Sequence, residues 1–181
     1  MSDSDDKRLW SGLQFPFGHS DAIDKIGTTA APLLAGFAFT LIGLTIGNRN
    51  ALGEPDLALL LLVVSGVSLV SSVQFNFNAR RYYFSPGAYF DLQKLAEEDG
   101  ISPATVKEMG RAYLALHGIW ADRSRSAYNF GVAVLFFGVA STLIPATGIA
   151  HMAPLRAAAV ALTTAAGLVE VFLMARERLR T

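Results

Sequence analysis

The hydrophobic positions of this chain do not fall into stripes of helical or strand period; they gather into four long blocks. The first, Ile26 to Ile46, carries no charge, and at 1.5 Å per residue it would span about 31 Å, the thickness of a bilayer's hydrocarbon core. The second runs from Leu57 to about Phe75, the third from Ala127 to Ala146 and the fourth from Leu155 to Met174. Four such blocks in 181 residues leave no polar shell to cover them, so four transmembrane helices are predicted.

Breakers separate the blocks in pairs. Gly47, Gly53 and Pro55 lie between the first two, and Pro145, Gly148 and Pro154 between the last two, which predicts two helical hairpins. Both hairpins end in a basic cluster, "NARR" and "MARER". Either a two-helix unit has been duplicated in parallel, or arginines simply mark the same boundary twice. Between the hairpins, Ser85-Pro86 is a helix start and Gly100 a stop, giving a helix from Pro86 to Asp99. Ser102-Pro103 repeats the start. No further breaker precedes Ile144, so one helix of about 63 Å should run into the third block. The predicted fold is an all-α integral membrane four-helix bundle of two hairpins, with a helical segment between spans 2 and 3. Its parts are 1–25 (N-terminal, cytoplasmic or interfacial), 26–77 (first hairpin), 78–126 (cytoplasmic helical segment), 127–175 (second hairpin) and 176–181 (tail).

Three stretches depart from this pattern. Residues 72–78 alternate polar and apolar like a strand, but a strand embedded in lipid would leave its backbone unsatisfied, so a helix leaving the membrane is expected. Val106, Met109, Tyr113, Leu116 and Trp120 repeat at steps of 3 and 4, which suits packing on the Pro86–Asp99 helix or a dimer seam. Ahead of the first span, Trp10, Leu13, Phe15 and Phe17 suit a membrane–water interface, with Pro16 barring one continuous helix.

Charge sets the orientation. All but two of the 15 lysines and arginines lie in the N-terminal segment, the central segment or the tail; Arg49 and Arg156 are the exceptions, both at the short-turn end of the hairpins. Both termini and the central segment are therefore expected to be cytoplasmic, in a multi-pass protein of a bacterial inner membrane. The polar, acidic start of the chain is a poor fit to a cleaved signal peptide, so the first span is read as retained. A net formal charge of zero argues against a nucleic-acid partner. The absence of cysteine excludes disulfides, thiolate metal sites and a cysteine nucleophile.

No catalytic or cofactor motif occurs, and His19, His117 and His151 lie on different segments, so neither an enzyme, a cofactor nor a metal site is expected. Three groups are candidates for other roles. Ser65, Ser68, Ser72 and Asn76 share one helical face of the second span, either as interhelical glue or as the lining of a hydrophilic path. Glu170 is the acid deepest in an apolar block; it either reaches the interface near Arg176 or serves a proton or ion. Arg80, Arg81, Tyr82 and Tyr83 close the second span while Arg123, Arg125 and Tyr128 open the third. Antiparallel neighbours would join them into one basic-aromatic rim for lipid phosphates or an anionic ligand. "GLTIG", Gly43 to Gly47, is a weak match to a helix-pairing motif.

The strings "FNARRYYFSPGAYFDLQ" and "WADRSRSAYNFGVAVLFFGVA" resemble a family of small four-span membrane proteins common in actinobacteria; the resemblance covers about residues 70–145 and implies a fold rather than an activity. In layout alone the chain also looks like four-span effectors of bacterial anti-phage signalling. The expectation is a non-enzymatic protein acting by association, as a membrane-embedded subunit or scaffold or as a membrane-perturbing effector. Its partners are the lipid bilayer and a second copy or another membrane component. The alternative is a small transporter or channel using Glu170 and the serine row.

Overall fold

A computed structural model of the protein describes residues 25–83, 86–148 and 151–179. The described chain is helical: α1 (Ala31–Gly47, entered through a π-turn over Ile26–Ala30), α2 (Pro55–Arg81), α3 (Pro86–Glu98), α4 (Pro103–Thr142) and α5 (Pro154–Arg178). Residues 72–78 are part of α2, so the alternation there is helical as expected. The boundaries follow local chemistry. Prolines open α2, α3, α4 and α5, where the missing N–H has no helical partner to lose. The Ser102 hydroxyl accepts from Thr105 N–H at 3.2 Å, capping α4. After α3, Gly100 adopts φ +73°, a conformation that suits glycine.

Three helices are long and apolar enough to cross a membrane: Ile26–Gly47, Pro55–Arg81 and the α5 segment Pro154–Arg176. The third apolar block, expected to be a fourth, forms the upper part of α4. That helix stops at Thr142 rather than Ile144, leaving about 24 Å of helix above Ala127. Tyr128 and Asn129 lower its mean hydropathy, and the helix packs against α2 on one side and α5 on another.

The long helices form a row in the order α1, α2, α4, α5, with α1 also reaching α4 where Tyr128 and Val132 pack near Ala31 and Ala35. The α2–α4 contact is the most extensive, α1 lies mainly against α2, and α5 lies against α4. Along this row small residues predominate among the buried positions, with Leu62, Leu69 and Leu135 the large exceptions in the apolar blocks. The buried positions include Ala31, Ala35, Ala38, Ser65, Gly66, Ser72, Ser124, Gly131 and Gly138, while Leu33, Leu155 and Leu162 are exposed. Small residues inside and large apolar residues outside is the arrangement expected when lipid rather than water bathes the surface, because close backbone approach then drives packing.

The two turns meet at one end. Gly53 N–H donates to Ile144 O at 2.9 Å and Ala146 N–H to Ala51 O at 3.2 Å, pairing Leu52 with Pro145. A Cβ on Gly53 would lie 2.8 Å from the Pro145 carbonyl oxygen, so the pairing requires glycine there. Gly53→Ala should therefore break this pairing and lower stability in detergent by about 1–2 kcal/mol. Gly47→Ala, whose side chain meets open space, should not lower the thermal midpoint.

Candidate functional site

The α2–α4 seam is built from small residues that bring two backbones together. A Cβ on Gly131 would lie 2.8 Å from Leu69 Cγ, and one on Gly138 would lie 2.9 Å from Leu62 Cδ2. At that separation serine hydroxyls reach the facing backbone. Ser65 Oγ donates to Gly131 O at 2.8 Å, Ser68 Oγ to Ala127 O at 3.1 Å and Ser72 Oγ to Ser124 O at 2.9 Å. Ser124 Oγ returns a bond to Ser72 O at 2.9 Å, with the two hydroxyls 3.2 Å apart. Asn76, buried, leaves this set and packs on Gly27 at the start of the first span, where glycine supplies the room. Ser71 bonds back to Val67 O in its own helix and takes no part in the seam.

These bonds fix the register of the antiparallel pair, and the register corrects one expectation. With Ser72 opposite Ser124 and Ala79 opposite His117, Arg80 and Arg81 stand level with Leu116 and its neighbours. Arg123 and Arg125 stand level with Val73 and Ser71. The basic groups thus form two tiers about 10 Å apart along the axis, not one rim. Helix α2 runs six residues past its apolar block before ending at Arg81, which carries its own arginines beyond those of α4.

In the lower tier the aromatic side chains engage one another. The Tyr82 and Tyr113 rings are 5.8 Å apart, and the Tyr83 ring is 5.4 Å from His117. His117 Nδ1 lies 2.9 Å from Ala79 O; a carbonyl can only accept, so Nδ1 carries the proton. In the upper tier the Arg123 guanidinium lies 4.8 Å from the centre of the Trp120 ring, and Trp120 is 5.8 Å from Phe75. Arg123 is exposed and Arg125 half-buried. Tyr128, assigned to the rim from sequence, sits one turn further along, packed near Ala31, Ala35 and Leu69.

Glu170 is half-buried on α5. One turn earlier, Gly167 faces the Phe137 ring, 3.1 Å from where its Cβ would lie. His151 is exposed at the turn end, far along the chain axis from His117. Gly43 faces open space, as does Gly47, so the GxxxG match is not used within the chain. His19 and the aromatics Trp10, Phe15 and Phe17, with Leu13 among them, lie outside the described residues.

The α4 stripe divides. Val106 is buried and Tyr113 and Trp120 are half-buried, whereas Met109 and Leu116 are exposed. Packing on α3 accounts for the base of this face, where Tyr89 fills the space above Gly110. The end of α2, through Tyr82 and Phe75, covers the rest.

The roles of Ser124, His117 and Gly131 carry no signal in the sequence. Their partners are backbone atoms or side chains 38 or more residues away, and no spacing within α4 announces them. Comparison with known proteins finds no matching family model, no matching curated protein and no matching solved structure.

Proposed function

We propose that this is a four-span, non-enzymatic membrane protein that acts by association, as a membrane-embedded subunit or scaffold. The observation that carries the reading is the α2–α4 seam. Ser65, Ser68 and Ser72 donate to α4 carbonyls, so the one polar row inside an apolar helix acts as glue and lines no aqueous path. The upper part of α4, continued by Leu143 and Ile144, is taken as the remaining span.

Support for the orientation comes from the turn end. The two turns share backbone hydrogen bonds, which puts both on one side. The two arginines there are engaged locally. Arg49 pairs with Asp56, and Arg156 Nε donates to Leu143 O at 2.6 Å, satisfying a carbonyl at the end of α4. The other basic residues then face the cytoplasm with both termini and the central segment. On this reading the arginine tiers hold anionic lipid headgroups, the upper at the boundary and the lower beyond it.

A second reading, a small proton- or ion-coupled transporter, rests on Glu170, a half-buried acid within an apolar helix. One experiment separates the two. Purified protein in liposomes should carry no proton or ion flux, and Glu170→Gln should still assemble and leave that result unchanged. A flux abolished by Glu170→Gln would establish the transporter instead. Depolarisation of cells on induction, suppressed by Arg80→Ala with Arg81→Ala, would replace the scaffold by a membrane-perturbing effector.

A further inference from the structure

One face of α4 that the other described residues leave bare has a regular spacing. Thr105, Met109, Ala112, Leu116 and Ile119 are all exposed and follow one another at steps of 4, 3, 4 and 3. The inward positions Val106, Tyr113 and Trp120 are a separate set spaced by seven, occupied by α2 and α3. The sequence stripe is thus two heptad rows, one used and one free.

The free row runs out of the lipid. Leu116 stands level with Arg80, and Met109 lies two turns beyond it, on the far side of the arginine tier from the apolar blocks. A row of methionine, leucine and isoleucine in that aqueous layer needs a protein partner. Its width also discriminates. A strict two-position row of period 3.5 is the seam of a coiled coil, while a helix lying on a membrane needs a broader apolar face.

We infer that this row joins two copies of the chain as a short parallel coiled coil, with Met109 and Leu116 at a positions and Ala112 and Ile119 at d. The inference rests on the membrane orientation proposed above. Two copies inserted the same way hold their α4 helices parallel, so each a and d layer meets its own counterpart across a two-fold axis along the membrane normal. Shared insertion has also removed much of the orientational freedom that association in solution must surrender, which lets barely two heptads suffice. The row ends at Arg123, the next a position, whose guanidinium is drawn aside over Trp120.

The chain has no cysteine, so a single introduced thiol reports one position. Under mild oxidation in native membranes, Met109→Cys, Ala112→Cys and Leu116→Cys should each form disulfide-linked dimers. Ala104→Cys and Arg111→Cys, exposed on another side of α4, should not. Leu116→Glu should weaken self-association about a hundredfold while leaving the thermal midpoint of the monomer in place. Crosslinking equal in the two sets, or absent from all three seam positions, would overturn the dimer. So would crosslinking that arises only after deletion of residues 1–24, which would give the row to that segment. Labelling of Arg111→Cys by an impermeant maleimide from outside the cell would overturn the orientation separately, and the crosslinking pattern would still decide the seam.

Discussion

Gly131→Leu is expected to uncouple α2 from α4 and to lower stability in detergent by about 3 kcal/mol, a large effect for a single substitution. A Cβ at residue 131 would already lie 2.8 Å from Leu69 Cγ and 3.3 Å from Leu69 N, and a leucine side chain adds three more carbons to that gap. Leu69 is fully buried between α1 and α4, so it cannot move aside without disturbing Ala31 and Ala35 as well. Separating the helices also breaks the bond from Ser65 to Gly131 O. Gly43→Leu is the matched control, since its side chain would enter open space. Thermal unfolding of both variants in one detergent is the measurement. Equal midpoints would mean that the α2–α4 seam does not hold the molecule together.

The second large effect is expected from the double change Ser72→Val with Ser124→Val. Two hydroxyls 3.2 Å apart would be replaced by branched apolar groups in a fully buried layer, and two reciprocal bonds to backbone carbonyls would be lost. Overpacking and the loss of two interhelical bonds together should lower stability by about 3 kcal/mol. Ser65→Ala and Ser68→Ala, which remove one interhelical bond each without crowding, should cost only about 0.6 kcal/mol apiece. Unfolding midpoints across this series separate closeness from hydrogen bonding as the source of the seam's strength. If the two alanine variants fell as far as the valine pair, hydrogen bonding rather than close packing would hold the seam.

Sequence and structure agree where the signal is local. Ser102-Pro103 and Gly100 act where they stand in the chain, and α4 starts and α3 stops there. The serine row at 65, 68 and 72 was legible because helical geometry alone puts those residues on one face. Its destination was not, because which carbonyls lie opposite depends on the offset between α2 and α4. The same offset undid the single rim. Both basic groups flank apolar blocks, but α2 continues past its block while α4 begins far below its own, so equal position in the sequence pattern became different height in the fold.

The sequence by itself determined that this chain is helical, that its apolar residues are concentrated in blocks suited to lipid, and where most helices begin and end. Those properties follow from composition, periodicity and capping, which act over a few residues and need no partner. Tertiary structure alone decided the order of the row, the tiers of arginine, the use of Gly131, Ser124 and His117, and the division of the α4 stripe into a covered and a bare face. Each of these depends on the axial offset and facing of two helices far apart in sequence. That offset is set by close contact of small side chains, and a glycine or serine looks the same in sequence whether it faces a helix or open space.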